Sequence, residues 1–410
     1  MGKLRPLALR VLLAGIALFG CQRAVSGPAP GSVPERLVIH GTNDAPAPRP
    51  ASTYTTTPGV GGALGGAIAD DLANRVRAHF RETPLVSDGR LAELSVRVVR
   101  MAQARQEVPD AVEIDALARE LGLVGPCPFV LLVPYVNGRW PELGNLLATI
   151  PGNIRFTHLG VAAVDLPGAV QGAIAVGAQH LTLMPFPRRA SVNEKLSFSG
   201  TIDRDYRDPR WVWTLPDGST RPLRSGGGSS ISLTTEALAQ GVHRFELFGV
   251  GPAGLEVLAN FPIDVGAVKT LPIGSEPSVD EADPFAALLE LINRERAQAG
   301  LKLLVRNAAL DRIAQAHSTD MVENHFVGHQ SPVTGGPLDR VQESGVRLAF
   351  FGENVALATS PSVAHRMLMN SPGHRRNILD SRFTHVGIGV AARPDLRPPS
   401  ISVTEVFGRF

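Results

Sequence analysis

At 410 residues the chain is longer than one hydrophobic core normally fills, and about 100–200 residues per domain predicts two to four domains. Its 40 Lys and Arg almost cancel 38 Asp and Glu, a formal net charge of +2, which excludes the clustered basic excess of a nucleic-acid binder. Hydrophobic residues at 44% exclude a chain disordered throughout, and two cysteines, Cys21 and Cys127, are too few for a disulfide framework.

Lys3, Arg5 and Arg10 precede an uncharged run from Val11 to Gly20. A basic start followed by about ten apolar residues predicts a secretory signal over 1–20, too short to span a bilayer. Cys21 directly after Gly20 resembles a bacterial lipobox, which implies acylation of that thiol and attachment to the membrane through an N-terminal lipid. Gln22 in place of Asp implies, by the same resemblance, the outer membrane. An ordinary signal peptide or an uncleaved anchor is the alternative. Residues 21–64 are rich in Pro, Ser, Thr and Gly (Ala45-Pro-Ala-Pro-Arg-Pro50, Thr55-Thr-Thr-Pro58) and read as a flexible tether.

An internal repeat follows. Leu72-Ala-Asn74-Arg75-Val-Arg77-Ala78 lines up with Leu291-Ile-Asn293-Arg294-Glu-Arg296-Ala297. Without a gap, Leu85-Val86 then falls on Leu304-Val305 and Leu91 on Leu310. Later, Arg155-Phe-Thr-His158-Leu-Gly160 matches Arg382-Phe-Thr-His385-Val-Gly387. Three matches in one order predict that 65–182 and 284–410 are diverged copies of one domain. Between them, 183–266 carries β-rich runs at Lys195–Ser199, Arg210–Leu215, Ser230–Leu233, His243–Val250 and Glu256–Val265, separated by turn signals such as Pro216-Asp217-Gly218. Trp211 and Trp213 alternate about Val212, as in a strand with one buried face. The expectation is an all-β, immunoglobulin-like sandwich serving as a spacer or binding module.

Residues 267–283 read as a linker. Asp283-Pro284 supplies an N-cap and an N1 proline, Phe285, Leu288, Leu289 and Ile292 mark one buried helical face, and Gly300 closes the helix. Asn307 caps a second helix with the stripe Leu310, Ile313, Ala314, His317, Met321. Val386–Val390 and Ser400–Phe407 read as strands, so the domain is α+β with α-β-α layers.

These residues also carry a family resemblance. Leu291-Ile-Asn293-x-x-Arg296, Ala314-x-x-His317-Ser-x-Asp320, Phe326-Val-Gly-His329, Gly352-Glu353-Asn354, Ser371-Pro-Gly-His374-Arg-Arg-Asn377 and Val386-Gly-Ile-Gly389 occur in order. Together they resemble the bacterial branch of the CAP superfamily (cysteine-rich secretory proteins, antigen 5, pathogenesis-related proteins). The resemblance covers roughly 285–410 and implies an α-β-α sandwich with a cleft lined by His329, Glu353 and His374. Many relatives carry a second cleft glutamate three residues beyond a Trp; here Leu368 and Ser371 stand at those positions. The earlier copy lacks Gly-Glu-Asn, and Pro151-Gly152-Asn153 omits the histidine, so a structural role is expected for it.

Two imidazoles and a carboxylate suit Zn²⁺ or a similar divalent ion with an open position. Ser371-Pro372 starts a short helix, whose dipole would keep His374 neutral. His317 reads as a hydrogen-bonded core histidine, and His158 and His385 as fold residues. Cys127, beside an apolar run, reads as a small buried residue and not a nucleophile. The favoured function is a non-enzymatic surface lipoprotein binding a lipid, cell-wall fragment, metal or partner protein. The alternative is a metal-dependent hydrolase, a protease or cell-wall hydrolase, using the same three residues.

Overall fold

The structure is a computed structural model that describes residues 50–224, 228–252, 254–268, 279–396 and 398–410, together with the backbone of Leu13–Ala14. The leader's n-region, Cys21 and residues 22–49 of the tether lie outside the described residues, as does most of the linker, 269–278.

The tether expectation fails for residues 50–64. Thr53–Tyr54 pairs antiparallel with Phe186–Pro187, and Ala63–Leu64 runs parallel to Val161–Ala162. Tyr54 is fully buried in the core of the middle part, and Thr56 exchanges hydrogen bonds with the Leu183 backbone. Composition reported the many Pro, Thr and Gly correctly; one large aromatic ring with a sheet partner outweighs them.

The first part has helices α1 (Gly66–His79), α2 (Gly89–Arg105) and α3 (Ala111–Glu120), and strands β1 (Phe129–Tyr135), β2 (His158–Leu166) and β3 (Ala169–Gly177). Its sheet runs β1-β3-β2, with the two-residue strand Val86–Ser87 parallel on β2. Alternation along β1 builds two cores. Phe129, Leu131 and Val133 meet Leu72 and Val76 of α1 on one face, while Val130 and Leu132 meet Leu94 and Val98 of α2 on the other. The layers are therefore α-β-α.

The middle part is all-β. Strands β4 (Lys195–Ile202), β5 (Arg207–Thr214), β6 (Thr220–Arg224), β7 (Ser230–Glu236), β8 (Gly241–Gly251) and β9 (Gly254–Val265) include the five expected from sequence and add β6. One sheet contains β9-β8-β5-β6 and the other contains β7-β4 with Leu181–Leu183. Phe198, Trp211, Phe245 and Phe261 fill the space between them. Val212 is also buried, because the outer face of the larger sheet packs against the C-terminal part.

The C-terminal part contains α4 (Pro284–Gln298), α5 (Ala308–Glu323), α6 (Pro337–Glu343), β10 (Phe350–Ala358), α7 (Pro361–Asn370), α8 (Pro372–Ile378), β11 (His385–Arg393) and β12 (Ser400–Arg409). The sequence signals for the helix starts hold. Asp283 accepts from the Phe285 and Ala286 N–H groups, and Asn307 from those of Ala309 and Leu310. The sheet order is Val305–Arg306, β11, β12, β10, with α5 on one face and α4 with α7 on the other.

Register gives physical content to the sequence repeat. Val86 lies opposite His158 in a parallel pair, and Val305 lies opposite His385 in another. Thr157 Oγ1 meets His158 Nδ1 at 2.8 Å, and Thr384 Oγ1 meets His385 Nδ1 at 2.9 Å. A Cβ on Gly160 would fall 2.2 Å from the Leu91 carbonyl carbon; one on Gly387 would fall 2.1 Å from that of Leu310. In both parts a glycine lets a helix sit directly on the sheet at the leucine that the alignment pairs.

Candidate functional site

His329 lies in the loop between α5 and α6, Glu353 on β10 and His374 in the first turn of α8. Glu353 therefore sits in a strand. The three residues come together. His329 Nδ1 is 2.9 Å from Glu353 Oε1, and the His329 and His374 ring centroids are 6.2 Å apart.

A cross-braced frame holds them. Asn377 Nδ2 donates to Glu353 O and to Asn354 Oδ1, at 3.1 and 2.9 Å. Asn354 Nδ2 in turn donates to His374 O at 3.2 Å and to Glu405 Oε2 at 2.9 Å. The asparagines of Gly352-Glu353-Asn354 and of the His374 motif thus tie strand to helix. Glu405 points inward from β12, its Oε1 has no partner, and burial pushes its carboxyl up to about 7. His317 is the core histidine expected, its Nε2 3.0 Å from Gly328 O. His365 is buried with neither ring nitrogen bonded, and burial lowers it to about 3.

The decisive partner of Glu353 is Arg340, which the sequence pattern did not single out. Arg340 Nη2 donates to Glu353 Oε1 and Oε2 at 2.9 and 2.8 Å, and to His329 O at 3.0 Å. Burial raises the Glu353 carboxyl, but the His329 hydrogen bond and the charges of His329, His317 and Arg340 outweigh it and hold it below the usual range. His374 is neutral, pushed down to about 3 by burial first and by His329 second.

This arrangement does not fit the divalent ion that two histidines and a glutamate suggest. Both Glu353 oxygens are committed to a guanidinium whose charge would oppose a cation, and no group of three His, Cys, Asp or Glu among the described residues is set to hold a metal. Arg340 carries no sequence signal, since its partner is thirteen residues away on another element.

The site lies where the parts of the chain meet. Glu246 on β8, fully buried, accepts from Ser371 Oγ at 2.8 Å and from the Gly373 N–H at 2.7 Å, at the start of α8. Asn153 of the first part donates to Val327 O and accepts from Val327 N–H, two residues before His329, and Asp110 pairs with Arg366. A cavity of about 180 Å³ behind His374 is bounded by Cys127, Glu246 and Leu368, one residue from each part. Cys127 is half-buried, with Sγ 3.6 Å from Ala111 O. On the other side of His374 opens a groove of about 1220 Å³ between the middle and C-terminal parts.

Residues 289–398 match the model of CAP, the Cysteine-rich secretory protein family, so the C-terminal domain is a CAP domain. The chain is 41% identical over 103 residues to the uncharacterized protein YkwD of Bacillus subtilis, covering 25% of this chain and 40% of that protein. It is 37% identical over 105 residues to the uncharacterized membrane protein YlbC of the same organism, covering 25% of this chain and 30% of that protein. The chain thus spans well under half the length of the curated relatives it matches. Among solved structures, an outer surface protein from Borrelia burgdorferi aligns with 32% of this chain and 96% of its own at 19% identity, TM-score 0.29. An extracellular SCP-domain protein from Bacillus anthracis aligns with 53% of this chain and 82% of its own at 19% identity, TM-score 0.28. Among the described residues, no helix is long and apolar enough to cross a membrane.

Proposed function

We propose that the protein is an extracytoplasmic lipoprotein whose CAP-domain cleft, built by His329, Glu353 and His374, binds a ligand without turning it over. One observation carries this reading. Arg340 and His329 engage both oxygens of Glu353 and hold its carboxyl below the usual range, which makes this buried carboxylate a weak base toward water. The neutral His374 and the outer nitrogen of His329 remain as hydrogen-bonding groups that orient a bound molecule. Incubating the mature protein with casein and with peptidoglycan, with and without chelator, tests the reading. No cleavage is expected; cleavage that His329→Ala abolishes would overturn it.

The anchor follows from the leader and the cysteine after Gly20. Mass spectrometry of the membrane-fraction protein should find acylated Cys21, and Cys21→Ala should release the chain into the soluble fraction. The first part, 65–182, reads as a diverged CAP-like copy that lost its cleft. The shared sheet order and the equivalent Leu91–Gly160 and Leu310–Gly387 contacts support a duplication. The middle part reads as an immunoglobulin-like sandwich, supported by its two facing sheets and buried Trp211.

A further inference from the structure

The groove that opens beside His374 has a charge pattern that the cleft residues do not explain. Arg204, Arg207, Arg210 and Arg224 of the middle part and Arg376 of α8 line it, all exposed, and none makes an ion pair or a side-chain hydrogen bond among the described residues. Of the carboxylates lining the same groove, Glu353 is taken by Arg340 and Asp380 is bonded to Arg382 while its charge also acts on Arg376, leaving Asp208 as the one carboxylate of the lining set against Arg204, Arg207, Arg210 and Arg224.

Two details of the backbone concentrate this charge. Arg210 and Arg224 are register partners on adjacent antiparallel strands, so two like charges lie directly opposite each other on one face, an arrangement that costs stability unless an anion sits between them. In a regular strand, Arg207 would point to the opposite face from Arg210, three residues away. A register shift between them, with Asp208 at φ 54°, places Arg207 opposite Val250 and Arg210 opposite Phe248. Val250 and Phe248 are two residues apart on β8, so the bulge turns Arg207 onto the face that Arg210 occupies.

We propose that this groove binds an acidic polysaccharide, its carboxylate or phosphate groups on Arg207, Arg210, Arg224 and Arg376 and one end reaching His329 and His374. Guanidinium forks match such anions in a bidentate way. The half-buried rings of Phe248 and Phe351 in the walls offer apolar faces to sugar rings. A formal net charge of +2 over the chain supplies no field for a nucleic acid. The proposal names the ligand class for the binding reading above and rests on that reading only at the His374 end.

Titration calorimetry of the mature chain with hexagalacturonate tests it. Binding that weakens with added salt is expected, with no binding of the neutral maltohexaose. The surface variant Arg210→Ala/Arg224→Ala, its melting temperature no lower than that of the wild type because a like-charge pair is removed, should weaken binding by at least about tenfold. Absence of hexagalacturonate binding, equal binding by the double variant, or tighter binding of hexaglutamate, which would mark an acidic-peptide site, would each overturn the proposal. Binding lost in the arginine variant but untouched by His374→Ala would support the groove while sinking the cleft reading. The reverse pattern would sink the groove and leave the cleft.

Discussion

Ser371 Oγ donates to Glu246 Oε1 at 2.8 Å, which fastens the middle sheet to the first turn of the helix that carries His374. The carboxyl is fully buried, and burial pushes it up to about 7, against hydrogen bonds from Gly373 and Ser371 that lower it. A folded-state value raised above the unfolded one of 4.5 means that the folded chain holds this proton more tightly. The associated stability is fully present below about pH 4.5 and is lost as pH rises through about 7, to a total of up to about 3 kcal/mol. Glu246→Gln keeps the shape, with its amide donating to Ser371 Oγ and its oxygen accepting from Gly373. Measured against wild type, in which the pH terms of Glu405, His365 and His374 are shared and cancel, Glu246→Gln should gain stability as pH rises from 4.5 through 7, while Glu246→Ala should melt lower below about pH 4.5 by the equivalent of about 1–3 kcal/mol, a gap that narrows as pH rises. An unchanged pH slope in Glu246→Gln would show that another group carries it.

Arg340 and Glu353 form a buried pair in which each is the other's main compensation. Removing one partner strands the other charge, at about 3–5 kcal/mol. Arg340→Ala should therefore destabilise the chain by about that amount in urea titrations. Adding Glu353→Gln should recover part of the loss, because the stranded charge is gone. A double variant less stable than Arg340→Ala would mean that Arg340 acts through packing alone.

The CAP domain was legible in the sequence because its signals are local or short-range. Asp283 and Asn307 cap their helices within three residues, and the stripe Leu310, Ile313, Ala314, His317 keeps helical spacing. His329, Glu353 and His374 were found through motifs that the frame of Asn354 and Asn377 now accounts for. What could not be read depended on contacts between separate elements of the chain. Glu246 meets Ser371 across 125 positions, and Arg340 meets Glu353 between a helix and a strand. The packing of Tyr54 into the middle core also has no local signature in a Pro- and Thr-rich stretch.

Gly160 and Gly387 tie the repeat to stability. At either position a methyl group would enter the backbone of the helix above, at 2.2 Å or closer. The strand and helix must then separate, and overpacking of this kind costs about 1–3 kcal/mol or more. Gly387→Ala should lower the melting of the CAP domain and expose its amides to hydrogen exchange, with little change in the first part. Gly160→Ala should do the converse. If either variant destabilised both parts equally, the two would be one cooperative unit.

Asn153 links the first part to the cleft. Its side chain donates to Val327 O at 2.8 Å and accepts from Val327 N–H at 3.2 Å, closing a small ring two residues before His329. Beyond Val327 the loop is held from within the CAP domain, by His317 on the Gly328 carbonyl and Arg340 on the His329 carbonyl, so Asn153 is the contact that comes from the first part. Asn153→Ala leaves a backbone donor and an acceptor with water in place of a fixed partner, at about 1 kcal/mol each. Hydrogen exchange at the Val327 amide should speed up on the order of tenfold, with amides in the core of β1 to β3 unchanged. If the proposed groove ligand reaches His329, its affinity should fall in this variant although the arginines are intact. Unchanged exchange at Val327 would mean that the first part rests against the loop without ordering it.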